Sequence, residues 1–318
     1  MSPQTEPAPR AVVVMNPRSG GGKVARFRLV ERAQLHGAQV VLTDVGDDPA
    51  ILARRAVDDG AELLGVAGGD GTVSAVAAVA AEADLPLVVV PAGTRNHFAR
   101  DLGLDIKDPA CSLEALHGGE AVRIDLGSVD GRPFVNNVSF GLYADALLAP
   151  HYREAKALGL ASVAGPYVQG RQWVDATVET PEGTIARPQV VLISNNAYHI
   201  ATPRHLGRRF TLDGGALGMI VLKRSAGTPP EPLPRLIREL AERGATGPEG
   251  EGIVTWSTAR ITLDGDAPDL AAGVDGEAVR LRLPVTCEVR PHVLRVLLPR
   301  QRPGIPPEPV VHRARRHG

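Results

Sequence analysis

The 318-residue chain carries 35 lysines and arginines against 36 aspartates and glutamates, which gives a net charge of -1. A dedicated nucleic-acid-binding protein would usually be basic, and aromatic residues at 3% leave few side chains that could stack on bases, so we expect no nucleic-acid partner. The length suffices for two domains with separate cores. Two cysteines, Cys111 and Cys287, form neither a disulfide framework nor a metal cluster, which fits a reducing compartment.

Both ends of the chain are expected to lack regular structure. Residues 1–10 are polar and proline-rich and predict a disordered lead-in, whereas residues 300–318 form a basic flexible tail whose single acid is Glu308. The alternative for the tail is weak attraction to an anionic membrane, worth roughly 1 kcal/mol per basic residue. No signal peptide and no bilayer-spanning apolar stretch is visible, so the predicted location is the cytoplasm, with peripheral membrane association left open.

Strands and helices alternate through the first 120 residues. Apolar runs predict buried strands at 11–15, 61–67 and 87–90, and residues 39–43 predict a further strand. Helical patterns follow them at 24–36, 48–60, 73–81 and 95–102, with Thr94 as the expected cap of the last helix. This alternation predicts a parallel, doubly wound α/β domain over residues 11–120. Loops that follow its strands lie at the carboxyl edge of the sheet, where ligands bind.

Three of these loops are candidate binding loops; two are rich in glycine, and the third is residues 91–100. The first, residues 16–23, offers backbone N–H groups together with Arg18 and Lys23 to a polyphosphate, although its spacing is not that of a Walker loop. The second, residues 65–72, is a strand-to-helix turn with the outline of a phosphate site. Its carboxylate, Asp70, would repel phosphate unless a metal or an ordered donor lies between them. The alternatives are a solvated linker for the first loop and, for the second, an ordinary turn in which Asp70 or Thr72 caps the helix.

Residues 121–299 show a different sequence pattern. Short alternating segments at 122–126, 133–139, 173–179, 189–194, 218–222, 259–263, 279–283 and 293–298 are separated by Gly, Asp and Pro turns. This pattern predicts an antiparallel β-sandwich, with a barrel-like domain as the alternative. Two helical interruptions are expected, within 144–170 and at 233–243.

Seven short motifs follow one another along the chain. They are Asn16-Pro17 with Gly20-Gly21-Gly22-Lys23, Gly68-Gly69-Asp70-Gly71-Thr72, Pro91-Ala92-Gly93-Thr94-Arg95-Asn96, Ile124-Asp125-Leu126-Gly127, Phe134-Val135-Asn136-Asn137, Asp213-Gly214-Gly215 and Asp275-Gly276-Glu277. Together they resemble the diacylglycerol kinase catalytic-domain family, which includes bacterial lipid kinases and the sphingosine and ceramide kinases. The resemblance spans nearly the whole chain. NAD kinases share the second motif, whereas the third points to the lipid branch.

The resemblance implies two domains with ATP in the cleft between them and a lipid substrate taken at a membrane surface. It implies nucleotide contacts from one set of residues, namely Asn16, Gly20, Gly21, Gly22, Lys23, Thr43, Gly68, Gly69, Asp70, Gly71, Thr72, Gly93, Thr94 and Asn96. Asp275 would be the general base for the lipid hydroxyl, with Glu277 beside it. Without the other motifs, Asp275-Gly276-Glu277 would be interpreted as a plain hairpin turn, for which Asp-Gly is a favoured pair.

Magnesium is the second cofactor that the resemblance implies. The catalytic ion would bridge the phosphates and be held by carboxylates among Asp70, Asp125 and Glu277. A structural Mg²⁺ is implied near Asp213, with the carbonyls of Phe210 and Gly215. One residue departs from the family pattern, because many bacterial members have Asp where this chain has His97. A neutral histidine supplies no negative charge to a metal site; the alternative is that it simply packs at a helix start.

The acceptor cannot be read from the sequence. Residues 143–172 correspond to the family's lipid-facing insert and mix apolar residues with Arg153, Lys156 and Tyr167, a composition that suits a lipid cleft and an ordinary packed helix equally. The leading hypothesis is an ATP-dependent lipid kinase. The alternatives are a kinase of a soluble acceptor such as NAD and a non-catalytic nucleotide-binding regulator, the latter suggested by His97. A homodimer also stays open.

Overall fold

The computed structural model describes residues 9–142, 144–145, 172–199, 208–209, 211–223 and 253–302. The chain divides into two compact units, residues 1–124 with 292–318 and residues 125–291. This division differs from the predicted limits because residues 292–298 return to the first unit. The predicted helix at 233–243, nearly all of the predicted helix within 144–170 and most of the basic tail lie outside the described residues. No helix among the described residues is both long and apolar enough to cross a membrane.

The first unit is built on a parallel sheet. Its strands are β1 (Ala11–Met15), β2 (Gln39–Leu42), β3 (Leu63–Gly68) and β4 (Leu87–Pro91), in the order β2-β1-β3-β4. Every residue of β1, β3 and β4 is buried, as expected for valine-rich strands covered on both faces. The end of the last strand of the chain also pairs in parallel with β4, through Val296 and Leu87.

Helices connect these strands. They are α1 (Lys23–Arg26), α2 (Leu29–Leu35), α3 (Pro49–Asp58), α4 (Asp70–Glu82) and α5 (His97–Asp101), with 3-10 turns at Ser19–Gly21 and Pro109–His117. Alternate residues of the strands, such as Val13 and Met15, pack with the fully buried Leu29 of α2 and Leu113 of the second 3-10 turn. Each such leucine stabilises the fold by about 1.5–3 kcal/mol relative to leaving it exposed.

Two expectations about these helices were wrong. The predicted helix at 24–36 is interrupted, because Arg28 has a φ of 50° between α1 and α2. Thr94 does not cap α5. The residue before that helix is Asn96, which has a φ of 52° and no capping bond to the helix, because its side chain bonds back to its own loop.

The second unit is a sandwich of antiparallel sheets. In chain order the remaining strands are β5 (Glu120–Val129), β6 (Arg132–Phe134), β7 (Asn137–Gly141), β8 (Thr177–Thr180), β9 (Gly183–Ala186), β10 (Val190–Asn195), β11 (Tyr198–His199), β12 (Arg208–Arg209), β13 (Leu217–Leu222), β14 (Ile253–Thr258), β15 (Arg260–Asp264), β16 (Asp269–Val274), β17 (Glu277–Arg282) and β18 (Val285–Leu298). The start of β5 and the end of β18 belong to the first unit. One sheet has the order β14-β13-β10-β7-β16-β17, while β15 pairs with β18 and β8 in the other.

Side chains from both sheets form one core. Phe140, Ile193 and Met219 of the first sheet pack in a cluster with Leu263 and Val285 of the second. The predicted antiparallel sandwich is thereby confirmed for the described residues. The sequence patterns did not predict strands at 183–186, 253–258 and 269–274, and they detected only the end of β18.

Candidate functional site

The three candidate binding loops, which follow β1, β3 and β4, meet in the first unit. The strands that precede them, β1, β3 and β4, are neighbours in register, with Met15 opposite Ala67 and Gly68 opposite Pro91. Parallel strands in register deliver their following loops to the same edge of the sheet. Loops that are far apart along the chain therefore become neighbours at one place, as predicted.

Glycines make the closest contacts between these loops. A Cβ on Gly20, whose φ is 56°, would lie 2.3 Å from the carbonyl oxygen of Ala92. A Cβ on Gly93 would lie 2.4 Å from Cα of Gly69 and 2.7 Å from Oδ1 of Asn96. Backbone meets backbone at both contacts, so no side-chain adjustment could make room. Any other residue at position 20 or 93 would push the loops apart.

Hydrogen bonds connect the loops further. The N–H of Gly69 donates to Oγ of Ser19 at 3.3 Å, and the N–H of Phe98 donates to Oδ1 of Asp70 at 3.3 Å. Asn96 closes the third loop upon itself, because its Oδ1 accepts from the N–H of Gly93 at 2.8 Å and its Nδ2 donates to the Gly93 carbonyl at 2.9 Å. The buried Asn96 thus shapes the loop.

The start of α4 lies within this set of loops. Asp70, Gly71 and Thr72 form the first turn of the 13-residue helix, and Gly69 precedes it without a side-chain cap. The alternative in which Asp70 or Thr72 caps the helix is therefore wrong. Thr72 instead packs on Gly68, where a Cβ would lie 2.7 Å from the threonine Cβ. A helix start without a side-chain cap has N–H donors and a positive dipole end that attract anions.

The first loop supplies flexible backbone and positive charge. Gly21 and Gly22 have φ angles of 69° and 82°, with open space where a Cβ would lie. Burial lowers the pKa of Lys23, and the positive charges of Arg26 and Arg100 lower it further. Lys23 and the two cations close enough to depress its pKa create a positive field, which would attract a polyphosphate. The predicted cation Arg18 instead donates to the Asp44 carbonyl.

Asn16 and Thr43 follow the ends of neighbouring strands. Oδ1 of Asn16 accepts from the N–H of Arg18 at 3.1 Å, which forms a small turn at the start of the loop. Thr43 is buried, its N–H donates to the Met15 carbonyl at 2.9 Å, and its Oγ1 has no hydrogen-bond partner within the described part of the chain. A buried hydroxyl without a partner costs free energy, so a ligand that bonded to it would remove that cost. Thr94, by contrast, is exposed.

His97 begins α5 beside Asp70. Desolvation lowers the pKa of His97, and the negative charge of Asp70 opposes this shift. The side chain keeps substantial contact with solvent. His97 is therefore predominantly neutral at pH 7, and it supplies no negative charge to a neighbouring metal ion.

Asp275 lies in the second unit, in the two-residue turn between β16 and β17. Asp275 and Gly276 have φ angles of 47° and 86°, which fits the hairpin alternative for this motif. Its carboxylate does more than shape the turn, however. Oδ2 accepts from the N–H of Val135 at 2.8 Å, and Oδ1 accepts from those of Asn136 and Asn137 at 2.8 and 3.0 Å. Three N–H donors fix the orientation of the carboxylate and favour its ionised form.

Glu277 forms an ion pair instead of joining these hydrogen bonds. Its Oε2 pairs with the Arg132 guanidinium at 2.9 Å, and both side chains are about half exposed. An exposed ion pair of this kind contributes about 0–1 kcal/mol to stability.

Asp125 and Asp213 occupy different surroundings. Asp125 is fully buried, and its Oδ2 accepts from Nδ2 of Asn196 at 3.1 Å and from the N–H of Gly215 at 2.7 Å. The half-buried Asp213 accepts from the Thr211 hydroxyl. Among the described residues, no group of three His, Cys, Asp or Glu side chains is arranged to hold a metal ion. The carbonyl of Phe210 lies outside the described residues, so the implied structural Mg²⁺ stays a prediction.

A buried polar network in the second unit was missed by the sequence analysis. It surrounds Asn136, Asn195 and Arg209, which are 4%, 0% and 2% exposed. The Arg209 guanidinium donates to the carbonyls of Val135 and Asn195 and to Oδ1 of Asn136. The Phe134-Val135-Asn136-Asn137 motif gave a partial signal, but nothing in the sequence marked Arg209.

Comparisons with known proteins agree on one family. Residues 10–129 match the family model of the "Diacylglycerol kinase catalytic domain". The diacylglycerol kinase of Mycobacterium tuberculosis strain H37Rv is 36% identical over 124 residues, which are 38% of this chain and 40% of that protein. A "Probable lipid kinase YegS-like" of Pseudomonas fluorescens is 41% identical over 105 residues, which are 32% of this chain and 34% of that protein. The matched stretch thus spans less than half the length of these relatives.

Two further matches extend over most of the chain. The diacylglycerol kinase of Staphylococcus aureus strain RF122 is 26% identical over 286 residues, which are 84% of this chain and 86% of that protein. A crystal structure described as a diacylglycerol kinase from Bacillus anthracis strain Sterne has a TM-score of 0.65 at 16% identity, covering 92% of this chain and 98% of the other. This likeness shows the same fold, an α/β domain followed by an antiparallel domain.

Proposed function

We propose, from the premise that residues 10–129 belong to the diacylglycerol kinase catalytic domain family, that the protein is an ATP-dependent lipid kinase. It transfers the γ-phosphoryl group to a lipid hydroxyl. One observation carries this proposal: the loops after β1, β3 and β4 meet in backbone contact around the uncapped start of α4. An uncapped helix start beside loops with cations is suited to the phosphates of a nucleotide.

The nucleotide would use this part of the first unit. N–H groups of Gly21 and of the first turn of α4 would hold phosphate oxygens, and Lys23 would add positive charge. The N–H of Gly22 is engaged with the Ser19 carbonyl at 3.1 Å and shapes the loop instead. The unpartnered hydroxyl of Thr43 would contact the nucleotide within the buried end of the site. Asn96 would act indirectly, because its side chain is engaged in shaping the third loop.

Of the three carboxylates implied as magnesium ligands, Asp70 fits a direct ligand, whereas Asp125 and Glu277 do not. Buried Asp125, whose Oδ2 already accepts two hydrogen bonds, and exposed Glu277, which pairs with Arg132, do not fit as direct ligands. Half-buried Asp70 fits, with phosphate oxygens completing the coordination, since Mg²⁺ is commonly held by one or two carboxylates and a substrate. When bound, the ion would neutralise phosphate charge. Because His97 has no carboxylate, Asp70 is the side chain that would hold the ion beside it.

Asp275 would accept the proton of the lipid hydroxyl. Phosphoryl transfer depends chiefly on positioning and charge stabilisation, so an ionised carboxylate of fixed orientation is suited to align the attacking oxygen. The three N–H donors of Val135, Asn136 and Asn137 supply both properties.

The acceptor is expected to be a lipid with a free hydroxyl, as the names of the relatives indicate. Diacylglycerol is the default, and working on it would require contact with a membrane surface. The test is transfer of label from γ-labelled ATP to a panel of diacylglycerol, sphingosine, ceramide and NAD in mixed micelles with Mg²⁺. Label in a lipid supports the proposal, whereas label in NAD alone replaces it with the soluble-acceptor alternative. Bound ATP without any transfer would favour the regulator.

A further inference from the structure

Two of the three N–H groups that hold Asp275, those of Asn136 and Asn137, belong to peptide units whose opposite ends are also held. The carbonyl of Val135 and the N–H of Asn136 are two ends of one peptide unit. Its N–H donates to Oδ1 of Asp275 at 2.8 Å, while its carbonyl accepts from the Arg209 guanidinium and from Nδ2 of Asn195 at 3.3 Å. This peptide plane is therefore held from both sides.

The next peptide unit is held in the same way. The N–H of Asn137 donates to Oδ1 of Asp275 at 3.0 Å, and the Asn136 carbonyl at its other end accepts from the N–H of Asn195 at 2.9 Å. Arg209 also reaches the Asn195 carbonyl at 3.1 Å and Oδ1 of Asn136 at 3.2 Å. One guanidinium thus joins both segments that hold the two peptide planes.

We propose that Arg209 is a positioning residue for Asp275, acting through the peptide units of residues 135–137. This proposal rests on the proposed lipid kinase function. A cation on the far carbonyl polarises the peptide and strengthens the hydrogen bond that its N–H donates to the carboxylate. The guanidinium therefore fixes the orientation of Asp275 and stabilises its ionised form, without touching any reacting atom.

The chemistry of the site requires arginine rather than lysine. The planar guanidinium reaches the carbonyls of Val135 and Asn195 and the amide oxygen of Asn136 at once. A lysine ammonium could keep the charge but lacks the rigid fork that spans three acceptors. Arg209→Lys should accordingly retain part of the positioning, whereas Arg209→Met should lose it, because the Val135 carbonyl would keep only the bond from Nδ2 of Asn195 at 3.3 Å.

The experiment compares wild type with Arg209→Met, Arg209→Lys and Leu263→Ala in the lipid kinase assay. Leu263 is fully buried in the core of the same unit, so its truncation lowers stability without touching residues 135–137. We expect Arg209→Met to lower kcat by about 10-fold to 100-fold with an unchanged KM for ATP, since misplacement of about 1 Å costs up to that much. Arg209→Lys should recover part of the loss, and Leu263→Ala should keep the wild-type kcat at a temperature where it is folded.

Hydrogen exchange supplies a readout that does not depend on activity. The amides of Asn136 and Asn137 should exchange faster in both Arg209 variants than in Leu263→Ala. A wild-type kcat in Arg209→Met, or a loss no larger than in Leu263→Ala, would overturn the proposal. If Arg209→Met does not fold, Arg209→Lys decides: wild-type kcat and exchange overturn the proposal, and a reduced kcat at a near-normal Tm supports it. A wild type without lipid kinase activity refutes the proposed function and this catalytic role with it, while exchange still decides whether Arg209 holds the peptides.

Discussion

At the scale of single residues, the space around backbone atoms decides which positions in the loops accept a side chain. Gly69 and Gly93 face each other, but their surroundings are not equivalent. A Cβ on Gly93 would lie 2.4 Å from the Gly69 Cα, whereas a Cβ on Gly69 would have its nearest neighbour, the Gly93 Cα, at 3.8 Å. The same substitution, glycine to alanine, is therefore expected to destabilise the protein much more at position 93 than at position 69.

Gly93→Ala should lower the free energy of unfolding by about 1–3 kcal/mol, because the added methyl group forces the second and third loops apart. Gly69→Ala should change it by much less, since its methyl group would meet only ordinary van der Waals contact. Urea denaturation of the two variants beside wild type measures both effects. Equal stability of the two variants would show that the loops are not in the contact described.

Protonation of His36 should make stability depend on pH. Burial lowers the pKa of His36 from its ordinary 6.5, and the neighbouring His117, whose ring centroid lies 5.0 Å away, lowers it further. As the pH falls below about 6.5, the unfolded chain takes up a proton before the folded protein does, so the free energy of unfolding decreases. Stability should therefore rise as the pH increases from the folded pKa to about 6.5 and then level off.

Unfolding midpoints in urea measured between about pH 5 and pH 7.5 check this dependence. His36→Gln should flatten the curve below pH 6.5. The exposed neighbour Leu35, replaced by glutamine, should leave the slope as in wild type, because that change removes no titrating group. A slope unaffected by His36→Gln would assign the pH dependence to other groups.

At the scale of elements, the sequence predicted what local patterns determine. Apolar runs gave all four strands of the first sheet, since strands buried on both faces, such as β1 and β4, have nearly continuous apolar sequences. The loops followed from the ends of those strands. The break at Arg28 was not predictable, because a positive φ at a non-glycine residue is imposed by packing rather than by propensity. Strand β16 was missed because Asp269–Val274 contains Ala-Ala-Gly, which shows no strand alternation.

The candidate site also contains features that local sequence patterns determine and features that they do not. Glycine loops and the Asp275-Gly276 turn have local signatures, so the sequence located them. Arg209 and Val135 are 74 positions apart and come together only when the second unit folds. The importance of such a pair depends on a contact between distant segments, and no single-sequence motif reports it.

Helix α3 offers a test of local signals. Oδ1 of Asp48 accepts from the N–H of Ala50 at 2.8 Å, with Pro49 at the first helical position. Asp48→Ala should lower the free energy of unfolding by about 0.5–2 kcal/mol because this cap is lost. Asp58→Ala, at the other end of the same helix, should not destabilise, since an acid there opposes the helix dipole. Equal losses in both variants would contradict a specific capping role.

At the scale of the whole molecule, each compact unit contains one cysteine, so thiol labelling can follow each unit separately. Burial raises the pKa of Cys287 far above its ordinary value, and burial together with Asp108 raises that of Cys111 more modestly. Because the thiolate is the reactive form, both should react slowly in the folded protein. Cys111 is the more accessible of the two and should be labelled first.

Mass spectrometry after brief alkylation at increasing urea concentration tests this expectation. Cys287 should become labelled only when residues 125–291 unfold, and Cys111→Ser should isolate that transition. Labelling of Cys287 without denaturant at the rate of Cys111 would contradict the packing of the second core.

Lipid kinase activity and the role of Asp275 are tested together by transfer of γ-labelled phosphate from ATP to diacylglycerol in mixed micelles, for wild type beside Asp275→Asn. We expect labelled lipid with wild type and a loss of about 10²-fold to 10⁴-fold in the variant, because a carboxamide cannot accept the hydroxyl proton. Nucleotide binding should be retained in both proteins. Folded, ATP-binding wild type that labels no lipid, or lipid labelling that Asp275→Asn leaves unchanged, would contradict the proposed function and the proposed base, respectively.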